Sequence, residues 1–254
     1  MPEGDTIAWA ANRIRPVLEG AIPDQILTPQ PRHERDRWPE RLAGRRIRSV
    51  DTHGKHLFLH FDGDLVLHSH LGMTGSWFVA REPTISRRVW IVLRVGERSV
   101  IERDGPLLEL ITEGRSRFDQ RLAALGPDVL APEFDRRRFL TRLRDDDPTR
   151  PLGDALLDQR NVAGIGNIWK AEGCWEAQVD PWRRLGEVSD EEALAVIDAM
   201  RPRMVVSAAQ GPRTIAPRVY KRVGQPCRRC GARVTARGQG DANRTTYWCP
   251  GCQR

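Results

Sequence analysis

The feature that most constrains this chain is a pair of cysteine pairs near its end. Cys227-x-x-Cys230 is followed, after eighteen residues, by Cys249-x-x-Cys252. Two such turns supply four thiolates at tetrahedral spacing, so residues 217–254 are expected to form a zinc-ribbon β-hairpin around a structural Zn2+. All four positions would be filled by protein, which leaves none for a catalytic water. Paired redox disulfides are the competing reading. Between the pairs lie two short β runs, Val234–Ala236 and Arg244–Trp248, around a glycine-rich turn. A hairpin this small is marginal alone, and the metal would hold it. The fifth cysteine, Cys174, stands beside Trp175 in a helical pattern and reads as core.

Charge is unevenly spread over the 254 residues. Of 41 Lys and Arg and 34 Asp and Glu, twelve and one fall in Arg201–Arg254, which leaves Met1–Met200 at a formal −4. A basic C-terminal fifth suits a polyanion such as nucleic acid, although an arginine-rich composition with solvated side chains gives the same count. No run of about 18 apolar residues occurs, and no basic-then-apolar leader opens the chain. A monomeric, cytoplasmic, nucleoid-associated protein with no membrane partner is expected.

The patterning divides the chain. Ile7, Ala10, Ala11, Ile14, Val17 and Leu18 recur at helical spacing, with Asp5 a plausible cap and Gly20 a stop. Four prolines then mark a loop over 21–44. From about Arg45 to Thr112, short strand patterns alternate with turn signals at Asp62-Gly63, Gly96-Glu97 and Asp104-Gly105, as in an antiparallel sandwich. Residues 115–123 read as a polar, mobile linker. Helical patterns follow at 135–144, 152–159, 167–176 and from Ser189. Ser189 with Glu192 forms a capping box, and Pro202 is expected to kink or stop that last helix. The fold class is therefore α+β: an N-terminal helix plus antiparallel β-sandwich over 1–114, a helical domain over 124–216, and the zinc hairpin.

Two further stretches bear on chemistry. Were Met1 removed, Pro2 would present a secondary amine with a pKa of about 8, partly neutral at pH 7 and able to attack an aldehydic carbon. Glu3 follows at once; a disordered tip is the plain alternative. In Ala155–Trp169, Gly164 and Gly166 make a turn from which Asn167 opens a helix. Such an N-terminus offers free amides to an anion, or is simply a glycine turn with an asparagine cap.

Pro2-Glu3 at the start, Gly54-Lys55-His56-Leu57 after a strand, Asp158-Gln159 through Asn167, and Arg244 five residues before Cys249 occur in one order along the chain. Together they resemble the Fpg/Nei family of bacterial DNA glycosylases with AP-lyase activity. The start Pro2-Glu3-Gly4-Asp5-Thr6 is most similar to the actinobacterial endonuclease VIII (Nei) branch.

The resemblance implies a helix–two-turn–helix in the middle domain, with damaged DNA, duplex or single-stranded, bound in a cleft between the domains. Pro2 would attack C1′ of the damaged nucleotide, with Glu3 as general acid/base. Lys55 would hold phosphate and assist β-elimination, and Arg244 would hold phosphate and promote δ-elimination. Asn167 and Lys221 would contact the DNA, and Met73 would fill the hole left by the flipped base; for Met73 a core role is the alternative. Lys55 taken alone would read as a surface lysine, and Arg244 as a solvated arginine. Oxidised pyrimidines would be the preferred substrates. Where some Nei proteins carry a phosphate-binding arginine this chain has Ala124, and Arg115–Phe118 only resembles the wedge of the formamidopyrimidine branch. His68 and His70 read as structural or groove-facing, not as metal ligands. A non-enzymatic zinc-ribbon DNA-binding protein shares the cysteines and the basic tail but needs no free proline.

If phosphate contacts dominate binding, affinity for duplex DNA falls by roughly 100-fold or more between about 50 and 200 mM salt. Fluorescence anisotropy checks this, and a flat salt profile would contradict the charge argument.

Overall fold

The computed structural model describes residues 2–254, so the removal or retention of Met1 lies outside the described residues. Two compact units divide the chain at Ala123–Ala124.

The first unit begins with α1 (Gly4–Leu18), β1 (Gln25–Leu27), α2 (Pro31–Arg35) and α3 (Trp38–Leu42). Strands β2 (Ile47–His53), β3 (His56–Phe61), β4 (Leu65–His70), β5 (Ser76–Ala80), β6 (Val89–Val95), β7 (Arg98–Arg103) and β8 (Leu107–Thr112) follow. Two short helices, α4 (Glu113–Phe118) and α5 (Gln120–Ala123), close it. The strands form two antiparallel four-stranded sheets, ordered β1-β6-β7-β5 and β2-β3-β4-β8. Apolar residues alternate inward, as Leu57, Leu59 and Phe61 do on β3, and all three are buried. The apolar stripe of α1 joins the same core, and the helix packs against strands of both sheets.

The second unit holds α6 (Arg136–Arg144), α7 (Leu152–Ala155), α8 (Asn167–Glu176) and α9 (Asp190–Gln210), then β9 (Thr235–Gln239) paired with β10 (Arg244–Trp248). Phe139, Leu152, Ile165, Val196 and Met200 make its core. Ala171 and Trp175 of α8 pack against Val219, Val234 and the cysteines, so the hairpin leans on that helix. Among the described residues no helix is long and apolar enough to cross a membrane.

Several elements differ from the sequence reading. The stretch 21–44 is not all loop: Pro31 and Pro39 sit in the first turns of α2 and α3, where a missing N–H costs nothing. The polar stretch 115–123 is largely helical. Thr112 caps α4 by accepting from the amide of Arg115, and Asp119 accepts from the amides of Arg121 and Leu122. The pattern over 152–159 yields helix only to Ala155. Pro202 does not stop α9, because Met200 and Met204 on either side of it are buried. That packing outweighs the roughly 3 kcal/mol an interior proline costs.

One buried group was not visible in the pattern. Glu102 on β7 is 0 % exposed, and among the described residues the backbone amide of Gly105 is the one hydrogen-bonding group acting on its carboxyl, too poorly aligned to offset burial. Burial pushes its pKa up to about 8, so it is mostly protonated at neutral pH. Burial acts oppositely on two histidines, lowering His56 to about 3 and His33 to about 4.

These shifts fix a pH dependence. The folded chain keeps a proton on Glu102 that the unfolded chain releases near 4.5, so its favourable share is full below 4.5 and lost as pH rises through 8. The histidines contribute the reverse slope, but only below their ordinary 6.5. Between pH 6.5 and 8, stability of the first unit is therefore expected to fall by up to roughly 1 kcal/mol per pH unit through Glu102. Urea unfolding across that range checks this, and Glu102→Gln should flatten the slope. The same slope in both proteins would contradict it.

Candidate active site and metal centre

In the first unit the candidate groups gather at element ends. Glu3 is the N-cap of α1 in extended conformation, and its carbonyl accepts from the amides of Thr6 (2.9 Å) and Ile7 (3.1 Å). The helix starts at Gly4, so the cap is Glu3 and Asp5 falls in the first turn. Glu3 is 1 % exposed and Asp5 4 %. A carboxylate at a helix N-terminus is favoured by the helix dipole. Pro2 therefore sits one residue ahead of an anchored cap, half-buried.

Lys55 lies in the two-residue turn between β2 and β3, closed by the His53–His56 pair, with Gly54 at φ +59°. Its charge reaches His70 on β4, where burial first and Lys55 next lower the imidazole pKa. His70 Nδ1 accepts from the amide of Gly72 at 3.2 Å. That residue opens the turn carrying Met73, which is 69 % exposed and so not a core residue. The turn needs its glycines. Gly72 has φ +55°, and a Cβ there would come within 2.5 Å of Pro106. Lys55 and Met73 thus stand at one end of the β2-β3-β4-β8 sheet, since β3 begins and β4 ends there.

His68 is structural, as expected. It is 1 % exposed, shares a 2.8 Å hydrogen bond with His56, and meets Glu109 at 2.9 Å. Glu109 also lies 3.5 Å from Arg121 of α5. Sequence reasoning missed this chain, although alternation along β3, β4 and β8 puts His56, His68 and Glu109 on one sheet face.

In the second unit Gly166 caps α8 without a side-chain bond, and Asn167 is its first residue rather than its cap. The turn before it is held by Gln159, which accepts from the amide of Gly164 (3.0 Å) and donates to the carbonyls of Leu157 and Ile165. Asp158 is held well below the ordinary carboxylate range, first by its bond to Arg160 and also by Arg150. Asn167 Nδ2 donates to the carbonyl of Thr245 at 2.7 Å, which leaves its second N–H for another acceptor. Three residues on, the buried Lys170 donates to Thr246 Oγ1 at 2.5 Å.

Arg244, exposed, opens β10 opposite Gln239. Lys221 is exposed with φ +56°, and follows a loop whose amides at Arg218, Val219 and Tyr220 all donate to the buried Glu172. Asn167 and Arg244 are thus joined through Thr245. Lys170, Thr246 and Glu172 escaped the sequence reading, since buried polar residues leave no mark on an apolar pattern.

The thiols of Cys227, Cys230, Cys249 and Cys252 all lie within 4.8 Å of one another. Cys227 and Cys252 are 3.8 Å apart, and Cys230 and Cys249 3.5 Å. Tetrahedral zinc with bonds of about 2.3 Å requires sulfur separations of about 3.8 Å, so the donor set fits that ion. Trp175 Nε1 (3.3 Å) and the amide of Arg229 (3.4 Å) donate to Cys227, bonds that stabilise a thiolate ligand. Cys174 lies apart from the four, and burial pushes its thiol up to about 12, which rules it out as a nucleophile at neutral pH.

Comparison with known proteins identifies the family. Residues 1–105 match the formamidopyrimidine-DNA glycosylase N-terminal domain, and residues 125–216 the formamidopyrimidine-DNA glycosylase H2TH domain. The probable endonuclease 8 2 of Streptomyces coelicolor is 38 % identical over 268 residues, covering 100 % of this chain and 94 % of that protein. The DNA-(apurinic or apyrimidinic site) lyase Nei2 of Mycolicibacterium smegmatis is 36 % identical over 100 % of this chain and 99 % of that protein. In fold, the chain is similar to Lactococcus lactis Fpg in complex with DNA containing N7-benzyl-Fapy-dG, at TM-score 0.85, 23 % identity and 100 % coverage of both chains. With two domain matches across most of its length and relatives above 30 % identity end to end, the chain belongs to the Fpg/Nei family of base-excision-repair DNA glycosylases and AP lyases.

Proposed function

We propose that the protein removes oxidised bases, pyrimidines by preference, from damaged DNA through a Schiff base on Pro2, and then cuts the strand by β,δ-elimination. The observation that carries this reading is the start of α1: residue 2 stands directly ahead of a helix cap whose carboxyl side chain is buried. An amine that must meet one sugar carbon repeatedly has to be held in place, and chain termini usually are not.

The chemistry follows from the groups present. The Pro2 nitrogen adds to C1′ and the base leaves with the glycosidic electron pair and a proton. Glu3 gives a proton to the ring oxygen as the C1′–O4′ bond opens, which leaves a cationic iminium. Loss of the C2′ proton then expels the 3′ phosphate with the C3′–O electron pair, and Lys55 stabilises that anion. Loss of the C4′ proton expels the 5′ phosphate in the same way, with Arg244 as its partner. Asn167 and Lys221 hold backbone phosphate, and the exposed Met73 fills the gap of the extruded base. Cys227, Cys230, Cys249 and Cys252 would hold Zn2+, which would brace the hairpin that carries Arg244. The chain acts as a monomer, on duplex or single-stranded DNA, in the cytoplasm.

The name lyase on one relative and endonuclease 8 on another support this reading over a DNA-binding role alone.

With a duplex carrying an oxidised pyrimidine, borohydride is expected to trap a covalent complex. Pro2→Gly should lower the trapped yield by roughly ten-fold or more, because the secondary amine is lost. Glu3→Gln should slow base excision by roughly 100-fold or more. Full trapping by Pro2→Gly would contradict the choice of nucleophile. Metal analysis is expected to give one zinc per chain, released by a strong chelator with loss of amide protection in 217–254 and weaker DNA binding. Unchanged binding after zinc release would contradict the structural role of the metal.

A further inference from the structure

The contacts between α8 and β10 go beyond what the proposed chemistry requires. Thr246 Oγ1 is fully buried and does two things at once. It accepts from Lys170 Nζ at 2.5 Å and donates to Gln239 Oε1 at 2.7 Å. Gln239 in turn donates through Nε2 to the carbonyl of Pro181 at 2.8 Å. Lys170 can only donate and Gln239 Oε1 can only accept, so the single hydroxyl proton of Thr246 goes to Gln239. Next door, Asn167 Nδ2 holds the Thr245 carbonyl. Two consecutive residues of β10 are therefore bonded to α8.

Arg244 immediately precedes them and pairs across the hairpin with Gln239. Strand alternation puts Arg244 and Thr246 on the same face of β10. The fit around Gln239 is close: a Cβ on Gly153 would come within 2.5 Å of Gln239 Oε1. At the adjoining turn, a Cβ on Gly240 would come within 2.1 Å of Asp154. A shift of the strand along α8 would break the bonds from Lys170 and Asn167.

We propose that the Thr246 hydroxyl, bridged between Lys170 and Gln239, is the positioning group that registers Arg244 for the second elimination. This rests on the reading that Arg244 partners the phosphate leaving from C5′. Thr246 touches no substrate and acts through Arg244. Its loss should affect the δ step more than the β step, because the second needs the Arg244 guanidinium in place and the first relies on groups of the other unit.

The test measures products from a duplex holding an abasic site, with the δ product expressed as a fraction of all cleaved strands. Thr246→Val keeps shape and removes the hydroxyl, and Thr246→Ser keeps the hydroxyl and removes the methyl. In Thr246→Val the ratio of δ to β product should fall by roughly ten-fold, as misplacing a group by about 1 Å can cost more than that. Zinc content should stay at one per chain, and Thr246→Ser should restore the ratio. Lys170→Met, which keeps length and loses the donor, should lower the ratio likewise, and the double variant with Thr246→Val should be no worse than either. This second route keeps the inference testable should Thr246→Val not fold. A wild-type ratio in the folded Thr246→Val or Lys170→Met protein, with Arg244→Ala losing the δ product, would overturn the relay alone. Equal loss in Thr246→Ser and Thr246→Val would assign the effect to packing and overturn it too. A wild-type ratio in Arg244→Ala would overturn the role of Arg244 and the relay with it.

Discussion

The first unit depends on the burial of one face of α1. Ile7, Ala11, Ile14 and Leu18 are each at most 1 % exposed and lie against strands of both sheets. Each of the three large side chains, Ile7, Ile14 and Leu18, contributes roughly 1.5–3 kcal/mol of burial, which is enough to order a terminus that would otherwise fray. Because the helix starts at Gly4, the same packing fixes Glu3 as its cap and leaves residue 2 only one peptide from the anchored turn. A nucleophile at a chain end is plausible only on such an anchor.

The second unit solves a different problem. A two-stranded hairpin has too little surface to bury, and this one borrows stability from three sources. Four thiols at zinc spacing close its base, Trp175 and Ala171 of α8 supply an apolar floor, and Asn167 and Lys170 hold the strand. The cost of burying the Lys170 cation is offset only if its donors are satisfied, so the site is specific about which neighbours it accepts. The first turn of α8 is thereby tied to a strand that begins with an arginine.

Much of this was legible in the sequence, and the misses have physical reasons. The helical spacing of Ile7 through Leu18 was read correctly, and the CxxC pairs do bring four thiols within metal-binding distance of one another. The hairpin turns at Asp62-Gly63 and Gly96-Glu97 depend on local chemistry alone and appear where expected. The prolines misled where they were read as breaking helices. Pro31 and Pro39 start short helices, whereas Pro202 is overridden by the buried methionines around it. Residues 115–123 looked mobile because no apolar stripe runs through them, yet caps at Thr112 and Asp119 suffice for two short helices. Lys55, Met73 and Asn167 were named as candidates by resemblance alone. Glu102, the His56–His68–Glu109 chain and the Thr246 relay could not, since each is a pairing between distant strands or helices that one residue type does not announce.

The central claim is that the reactive atom is the nitrogen of residue 2. It is tested most directly by proteolysis and mass spectrometry of the borohydride-reduced protein–DNA adduct. The account predicts that Met1 is absent and that the reduced sugar remnant is carried by the N-terminal peptide on Pro2. A remnant on Lys55 or any other lysine, or a trapped chain that still begins with Met1, would contradict it.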